Sequence, residues 1–248
     1  MQLSERIGNL SSSSFIPGPN DSVEGGIYNH NFFDIVRLLP DESVDMIYTD
    51  PLYERIDDYY FLGLAAMRLL KPDRPLLCYC AIGSLPQVHD ALRESGLTYR
   101  WRLVTQVIHS KRFFGKLIIL TQECLWYEKG NSRLYDSLFD LNTSSTKGNY
   151  FVGGANWGKG FDVVRRYIDN FTHQDDLVLD PFTGSGSIPA ACKQLKRRYL
   201  GFEIDPEITI AARKRVGNEQ PLLIGSDQPR QISLEMEHAK GKRKSRVN

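Results

Sequence analysis

The apolar residues of this chain fall into short runs set apart by polar turns, and the runs follow two rhythms. Val44-Asp-Met-Ile-Tyr48, Pro75-Leu-Leu-Cys-Tyr-Cys80, Leu177-Val-Leu179 and Tyr199-Leu-Gly-Phe202 are short and nearly continuous, the signature of strands covered on both faces. Phe32 to Leu39, Tyr59 to Leu70, Leu85 to Ser95, Phe161 to Asn170 and Ile188 to Lys196 instead space their apolar residues at helical intervals. Lys71-Pro72-Asp73 stops the second of these helices, because proline has no N–H to continue it, and Gly96 closes the third. Ile27-Tyr28 reads as a short opening strand. Strands alternating with helices predict an α/β fold built on a doubly wound, mostly parallel, Rossmann-like sheet.

Two departures from strict alternation are expected. Trp101 to Ile108 and Leu117 to Tyr127 read as strands joined by the basic segment Lys111 to Lys116, suited to antiparallel pairing at a sheet edge. Gly130 to Gly160 is rich in Asn, Ser, Thr and Gly, a composition for a loop or small target-recognition insert rather than a core. Residues 1–25, with Ser11-Ser-Ser-Ser14 and Pro17-Gly-Pro19, predict a flexible arm, and residues 218–248 a basic tail around a domain at 26–217. No internal repeat is evident.

A length of 248 residues with 41% hydrophobic positions suffices for one α/β domain with a substantial core. No apolar run nears the roughly 20 residues of a membrane helix, and the start lacks a secretory layout, so a soluble, cytoplasmic protein is expected. Cys78, Cys80, Cys124 and Cys192 lack paired CxxC spacing and lie on apolar stretches, which predicts buried thiols and no metal. A net charge of +1 does not advertise a polyanion partner, and the cluster Lys240-Gly-Lys-Arg-Lys-Ser-Arg246 reads as a solvated end.

Candidate chemistry concentrates at two corners. In Val178-Leu-Asp-Pro-Phe-Thr-Gly-Ser-Gly-Ser187 a buried strand runs into a turn, Gly184-Ser185-Gly186, where missing β-carbons let a ligand approach the backbone. The third glycine of a dinucleotide fingerprint is lacking, and Asp180-Pro181-Phe182 stands before the turn. That pattern suits a phosphate-free nucleoside with a charged amino-acid end, S-adenosyl-L-methionine, with Asp180 placed for an ammonium group. Glu203, at the end of the following strand and shortly before Asp205, stands where an acid accepts hydrogen bonds from ribose hydroxyls.

The second corner is Thr49-Asp50-Pro51-Leu52-Tyr53. With it the chain resembles the amino-methylating (N6-adenine or N4-cytosine) DNA methyltransferases, in the circularly permuted class whose catalytic motif precedes the cofactor motif. The resemblance covers about Ile27 to Val216 and is strongest from Asp180 to Arg215. It implies a methyltransferase fold and makes Asp50, Pro51 and Tyr53 catalytic. An exocyclic amine is a poor nucleophile because its lone pair is delocalised into the ring. The Asp50 carboxylate and the Pro51 carbonyl would accept its two hydrogens and localise that pair, while Tyr53 stacks on the flipped base. An acid at the head of the motif resembles the adenine-modifying members. Leu52 replaces the family's usual proline, Asn31 stands near its adenine-contacting aspartate, and Lys159 in Asn156-Trp-Gly-Lys-Gly160 replaces a proline-containing lysine motif.

The implied partner is DNA, in duplex form. Arg100, Arg102, Lys111, Arg112 and Lys116 are candidate phosphate contacts, with Phe113 and Phe114 beside them for stacking or wedging. The segment Gly130 to Gly160 is too short for a large recognition domain, so a dimer mate or partner subunit would complete target reading. Methylation of cytosine N4 or of RNA, and a cofactor-binding but inactive subunit, remain alternatives. A nicotinamide-dependent reductase would leave Asp-Pro-x-Tyr without a task.

Overall fold

The computed structural model describes residues 26–107, 112–144, 151–152, 155–156 and 160–219. The expected arm at 1–25, most of the tail, Lys111, Trp157 and Lys159 lie outside them. β1 (Gly26–Asn29) leads through the short helix α1 (Phe32–Ile35) and a 3-10 turn at Val36–Leu38 into β2 (Met46–Thr49). The predicted helix to Leu39 thus tightens after one turn. Then follow α2 (Ile56–Leu69), β3 (Arg74–Cys80), α3 (Leu85–Glu94) and β4 (Thr98–Val107). A small hairpin, β5 (Arg112–Phe114) and β6 (Leu117–Ile119), precedes β7 (Thr121–Lys129) and β8 (Leu141–Ser144). After a two-residue pair, β9 (Phe151–Val152) and β10 (Ala155–Asn156), come α4 (Phe161–Phe171), β11 (Leu177–Asp180), α5 (Ser187–Gln194), β12 (Arg198–Glu203) and α6 (Pro206–Asn218).

Eight strands form one sheet in the order β1-β12-β11-β2-β3-β7-β4-β8, and β7 alone runs against the other seven. β2 and β11 are buried at every position, as central strands with helices on both faces must be. One face packs on α1, α2 and α3 through Phe32, Leu62, Leu69, Val88 and Leu92. The other packs on α4 and α5 through Val164, Tyr167, Phe171, Ile188 and Cys192, with α6 closing beside β1 through Ala212 and Val216. The predicted doubly wound α/β sheet is therefore what forms, and all four cysteines are buried free thiols.

The chain leaves β2 toward β3 on one side and β11 toward β12 on the other, so the strand order reverses between β2 and β11. Loops leaving such neighbours diverge and open a crevice at their carboxyl ends, where open α/β sheets bind ligands. Asp45 sets this register from the opposite end. Its buried carboxylate accepts the Leu177 N–H at 3.0 Å and pairs with Lys71 at 2.8 Å and Arg74 at 3.1 Å, tying β2 to β11 and β3.

Two expectations need correction. β4 and β7 do pair antiparallel, but neither is an edge: β7 lies between β3 and β4, and β8 covers β4. The reason lies in Gly130 to Gly160, read as loop, which supplies that eighth strand. In β8 the polarity is inverted, with Leu141 exposed and Asn142 and Ser144 buried. The buried pair is satisfied by hydrogen bonds: Asn142 donates to the Tyr167 hydroxyl at 3.3 Å and accepts from Arg166 at 2.9 Å, and Ser144 donates to Asp162 at 3.1 Å. Hydrophobic periodicity carries no signal for a strand that buries its polar side.

Candidate active site

Because β2 and β11 are adjacent and parallel, their carboxyl ends bring the two sequence corners together, although Thr49 and Asp180 are 131 positions apart. The Thr49 hydroxyl, fully buried, donates to Asp180 Oδ1 at 2.8 Å. The chain then emerges as Asp50, half-buried; Pro51, buried; Leu52, exposed; and Tyr53, half-buried against the cluster containing Tyr48, Tyr79 and Tyr167. Three tyrosines that the sequence marks only as parts of strands or helices support this corner from within. Tyr48 and Tyr79 share a buried hydroxyl–hydroxyl hydrogen bond of 2.8 Å, and Tyr59 of α2 donates to the Tyr79 carbonyl at 3.1 Å. Burial pushes the Tyr59 pKa far up, with nearby Asp50 and Tyr53 adding smaller contributions, so Tyr59 stays a neutral donor.

The glycine turn after β11 is held on three sides. The Thr183 N–H donates to the Phe202 carbonyl at 2.9 Å, and Glu203 Oε2 accepts the Gly184 N–H at 2.9 Å, which binds the turn to β12. Gly184 and Gly186 have φ of +50° and +77°, a region where a β-carbon brings strain. At Gly186 the added carbon would also stand 3.1 Å from Cβ of Ala212, so the turn lies directly against α6. Arg215, unremarked in the sequence, is buried and donates to the Ser185 carbonyl at 3.3 Å and to Ser187 Oγ at 2.7 Å while lying over the Phe161 ring. Phe182 is half-buried and meets Phe33 of α1 edge to face at 5.8 Å, forming an aromatic wall beside the turn.

The acids are placed unequally. Glu203 Oε1 accepts the Asp205 N–H at 2.9 Å, and with about four acceptor sites per carboxylate each oxygen of Glu203 retains capacity toward solvent. Asp205 caps α6, accepting the N–H groups of Glu207 at 2.8 Å and Ile208 at 3.1 Å. Asn31 caps α1 by accepting the Phe33 N–H at 3.0 Å. Its neighbour Asn29, missed in the sequence, donates to the carbonyls of Glu203 at 3.0 Å and Ile204 at 2.9 Å, pinning the end of β1 to that of β12.

Asp180 is the electrostatic centre. Burial pushes its pKa up to about 8; hydrogen bonds from Thr49 and the Phe182 N–H oppose the rise, and the negative charges of Asp50 and Glu203 reinforce it. A crevice holding these three acids and a turn whose two glycines carry no β-carbon fits a ligand that brings positive charge and a nucleoside. S-adenosyl-L-methionine carries both an ammonium and a sulfonium.

The basic candidates are placed elsewhere. Arg100 and Arg102 lie seven and five residues before the end of β4 at Val107. They pair with the buried carboxylates of Glu128 at 3.7 Å and Glu123 at 3.6 Å, which offsets part of their charge. Arg112 lies in β5, and Lys116 is exposed at the turn after it. Among the described residues no group of three or more His, Cys, Asp or Glu is arranged for a metal ion, and no helix is long and apolar enough to cross a membrane.

An open α/β sheet with one reversed strand, a glycine turn at the switch point and an acid on the next strand defines the S-adenosylmethionine-dependent methyltransferase fold. Within that class, the chain belongs to the N6/N4 DNA methylase family, whose DNA methylase profile matches residues 132–214. The type II methyltransferase M2.MboI of Moraxella bovis is 37% identical over 252 residues, spanning 82% of this chain and 92% of its own length. M.BamHI of Bacillus amyloliquefaciens is 22% identical over 81% of this chain, which spans only 59% of that protein. Among solved structures, the M1.HpyAVI–SAM complex superposes with a TM-score of 0.66 at 22% identity, covering 77% of this chain and 98% of that one. The PvuII DNA methyltransferase, described as cytosine-N4-specific, gives 0.67 at 16% identity, covering 89% and 92%. S-adenosyl-L-methionine is the cofactor of this family.

Proposed function

We propose that this chain transfers a methyl group to the exocyclic N6 of adenine in DNA, acting on a base that has left the duplex. The observation that carries the proposal is the junction of the two corners through the Thr49–Asp180 hydrogen bond, which sets Asp50-Pro51-Leu52-Tyr53 against the proposed methyl-donor pocket. S-adenosyl-L-methionine, when bound, supplies an electrophilic methyl group. Asp180 would hold its ammonium end, Glu203 its ribose hydroxyls, and the turn Gly184-Ser185-Gly186 would admit it close to the backbone, between Pro181 and Phe182 and the Asn31 and Asp205 ends.

Asp50 and the Pro51 carbonyl accept the two amine hydrogens of the target base and aim its lone pair at the pocket. Tyr53, backed by the tyrosine cluster, offers a face for the base to stack on. Because the nitrogen becomes acidic only after it gains the methyl group, no strong base is needed first; Asp50 or solvent removes the surplus proton afterwards. An acid rather than a serine before Pro51 supports adenine over cytosine. Arg112 and Lys116 are the candidate phosphate contacts at this end of the sheet, Lys111 is a further candidate from the sequence alone, and Arg100 and Arg102 reach DNA with part of their charge already paired.

The test is methyl incorporation into DNA free of modified bases, followed by digestion of the product to nucleosides. The expected product is N6-methyladenosine in its deoxy form, with Asp50→Ala lowering the rate at least about a hundredfold, the scale for losing an electrostatic acceptor in a closed site. A mutant as fast as the parent would overturn the assigned mechanism, and N4-methylcytosine as product would transfer the same geometry to the other amine.

A further inference from the structure

The segment between β4 and β7 carries an exposed apolar surface that the catalytic reading leaves without a task. The Val107 N–H donates to the Leu120 carbonyl at 2.7 Å and closes its base. Beyond that bond the hairpin of β5 and β6 pairs Phe113 with Ile118 and Phe114 with Leu117 around the turn Gly115-Lys116. These four side chains are 66%, 49%, 77% and 61% exposed, respectively. Successive strand residues point to opposite faces, so the hairpin shows apolar surface on both. A two-stranded hairpin in water is marginally stable alone, and uncovered apolar surface of this density marks a contact site.

Its position and charge select the occupant. β4 runs parallel to β2, so the end of β4 at Val107 lies at the same rim of the sheet as Asp50 and Asp180. β7 is two strands from β2, a lateral offset of roughly 10 Å, or about three base steps of a duplex. The four residue steps from Leu120 back to Lys116 can carry the tip up to about 13 Å beyond the sheet. From Arg112 to Gln122 the sequence holds two basic residues and no acid. A tip that is apolar on both faces, has Lys116 at its turn and stands beside a pocket for an extruded base matches stacked bases flanked by phosphates.

We propose that the hairpin Arg112–Ile119 is an apolar wedge for duplex DNA, with Phe114 and Leu117 entering between base steps beside the target and holding the duplex open while the base occupies the pocket. Apolar side chains inserted in this way offset the cost of unstacking the neighbouring bases. The inference rests on the proposed DNA-methylating function and adds how an extruded base is obtained from a closed helix.

The discriminating measurement compares native with heat-denatured DNA of several kilobases that carries no methylated base, using tritiated S-adenosylmethionine. In denatured DNA the bases are already unstacked and a wedge has nothing to do. The double substitution Phe114→Ala with Leu117→Ala is expected to slow methylation of native DNA about tenfold or more while denatured DNA stays within about twofold of the parent. Melting temperature and calorimetric cofactor affinity should be unchanged, since both side chains are exposed. Phe114→Trp should retain activity, and its fluorescence should change on adding native DNA.

Equal losses on both substrates, or no loss, would overturn the wedge. So would a change from dimer to monomer in sedimentation of the double variant, which would make the hairpin a contact between copies. A parent protein that methylates neither form of DNA would instead remove the function on which the inference stands.

Discussion

At the scale of single residues, the hydroxyl of Thr49 is what joins donor pocket and acceptor corner. It lies beside the motif that composition and resemblance single out, and no spacing rule marks it, because its partner Asp180 comes 131 positions later. Removing a buried hydrogen bond to a carboxylate costs about 1.5–3 kcal/mol. Thr49→Val keeps the shape but loses the donor, so cofactor binding by calorimetry should weaken about tenfold or more, and Thr49→Ser should restore most of it. Equal impairment by Val and Ser would show that packing, not the hydrogen bond, is what matters. Asp180 and Glu203 are legible as candidates because each sits at the end of an apolar run, and Asp50, Pro51 and Tyr53 because the string that follows such a run resembles a family motif. Tyr59, Asn29 and Arg215 were not, because their partners come from other elements.

At the scale of elements, the turn between β11 and α5 shows why two glycines are required for different reasons. Gly184 has a left-handed φ with open space around it, the space a ligand would take, whereas Gly186 combines that φ with close contact to α6. Gly186→Ala is therefore expected to destabilise the protein by about 1–2 kcal/mol, through backbone strain and displacement of α6, and to reduce cofactor affinity as the turn shifts. Thermal melting read beside calorimetry checks it; an unchanged melting temperature would contradict the packing account. The strands and helices of the core were readable because their apolar residues are periodic. β8 was not, because its buried positions are Asn142 and Ser144, and nothing local distinguishes a polar residue satisfied by Tyr167 and Asp162 from one in solvent.

At the scale of the whole molecule, crowding three acids at the switch point links folding, proton uptake and ligand binding. Asp180 has a folded-state pKa of about 8, above its unfolded value, so the folded state binds more protons than the unfolded chain between about pH 4 and pH 8. Its contribution to stability is full below that window and is lost as pH rises through about 8. The ligand-free protein should lose melting temperature by several degrees from pH 5 to pH 9, and Asp180→Asn should flatten that slope. A cationic cofactor favours ionised Asp180, so binding at pH 7 should release close to one proton, seen as a binding enthalpy that varies with the buffer's ionisation heat. An enthalpy independent of buffer would mean that the ligand's positive end lies away from Asp180.

The order of strands and helices, the two acidic corners and the chemical character of the ligand could be read from the chain alone, because periodicity, turn residues and short motifs are local properties. Tertiary structure decided what depends on pairing distant segments: that β2 lies beside β11, that Thr49 meets Asp180, that Glu123 and Glu128 draw on the charge of Arg102 and Arg100, and that a polar strand completes the sheet. Parallel strands joined by long crossovers can be adjacent in several orders with the same local pattern. Only the packing of both faces and the clamp at Asp45 select the order that brings the two corners together.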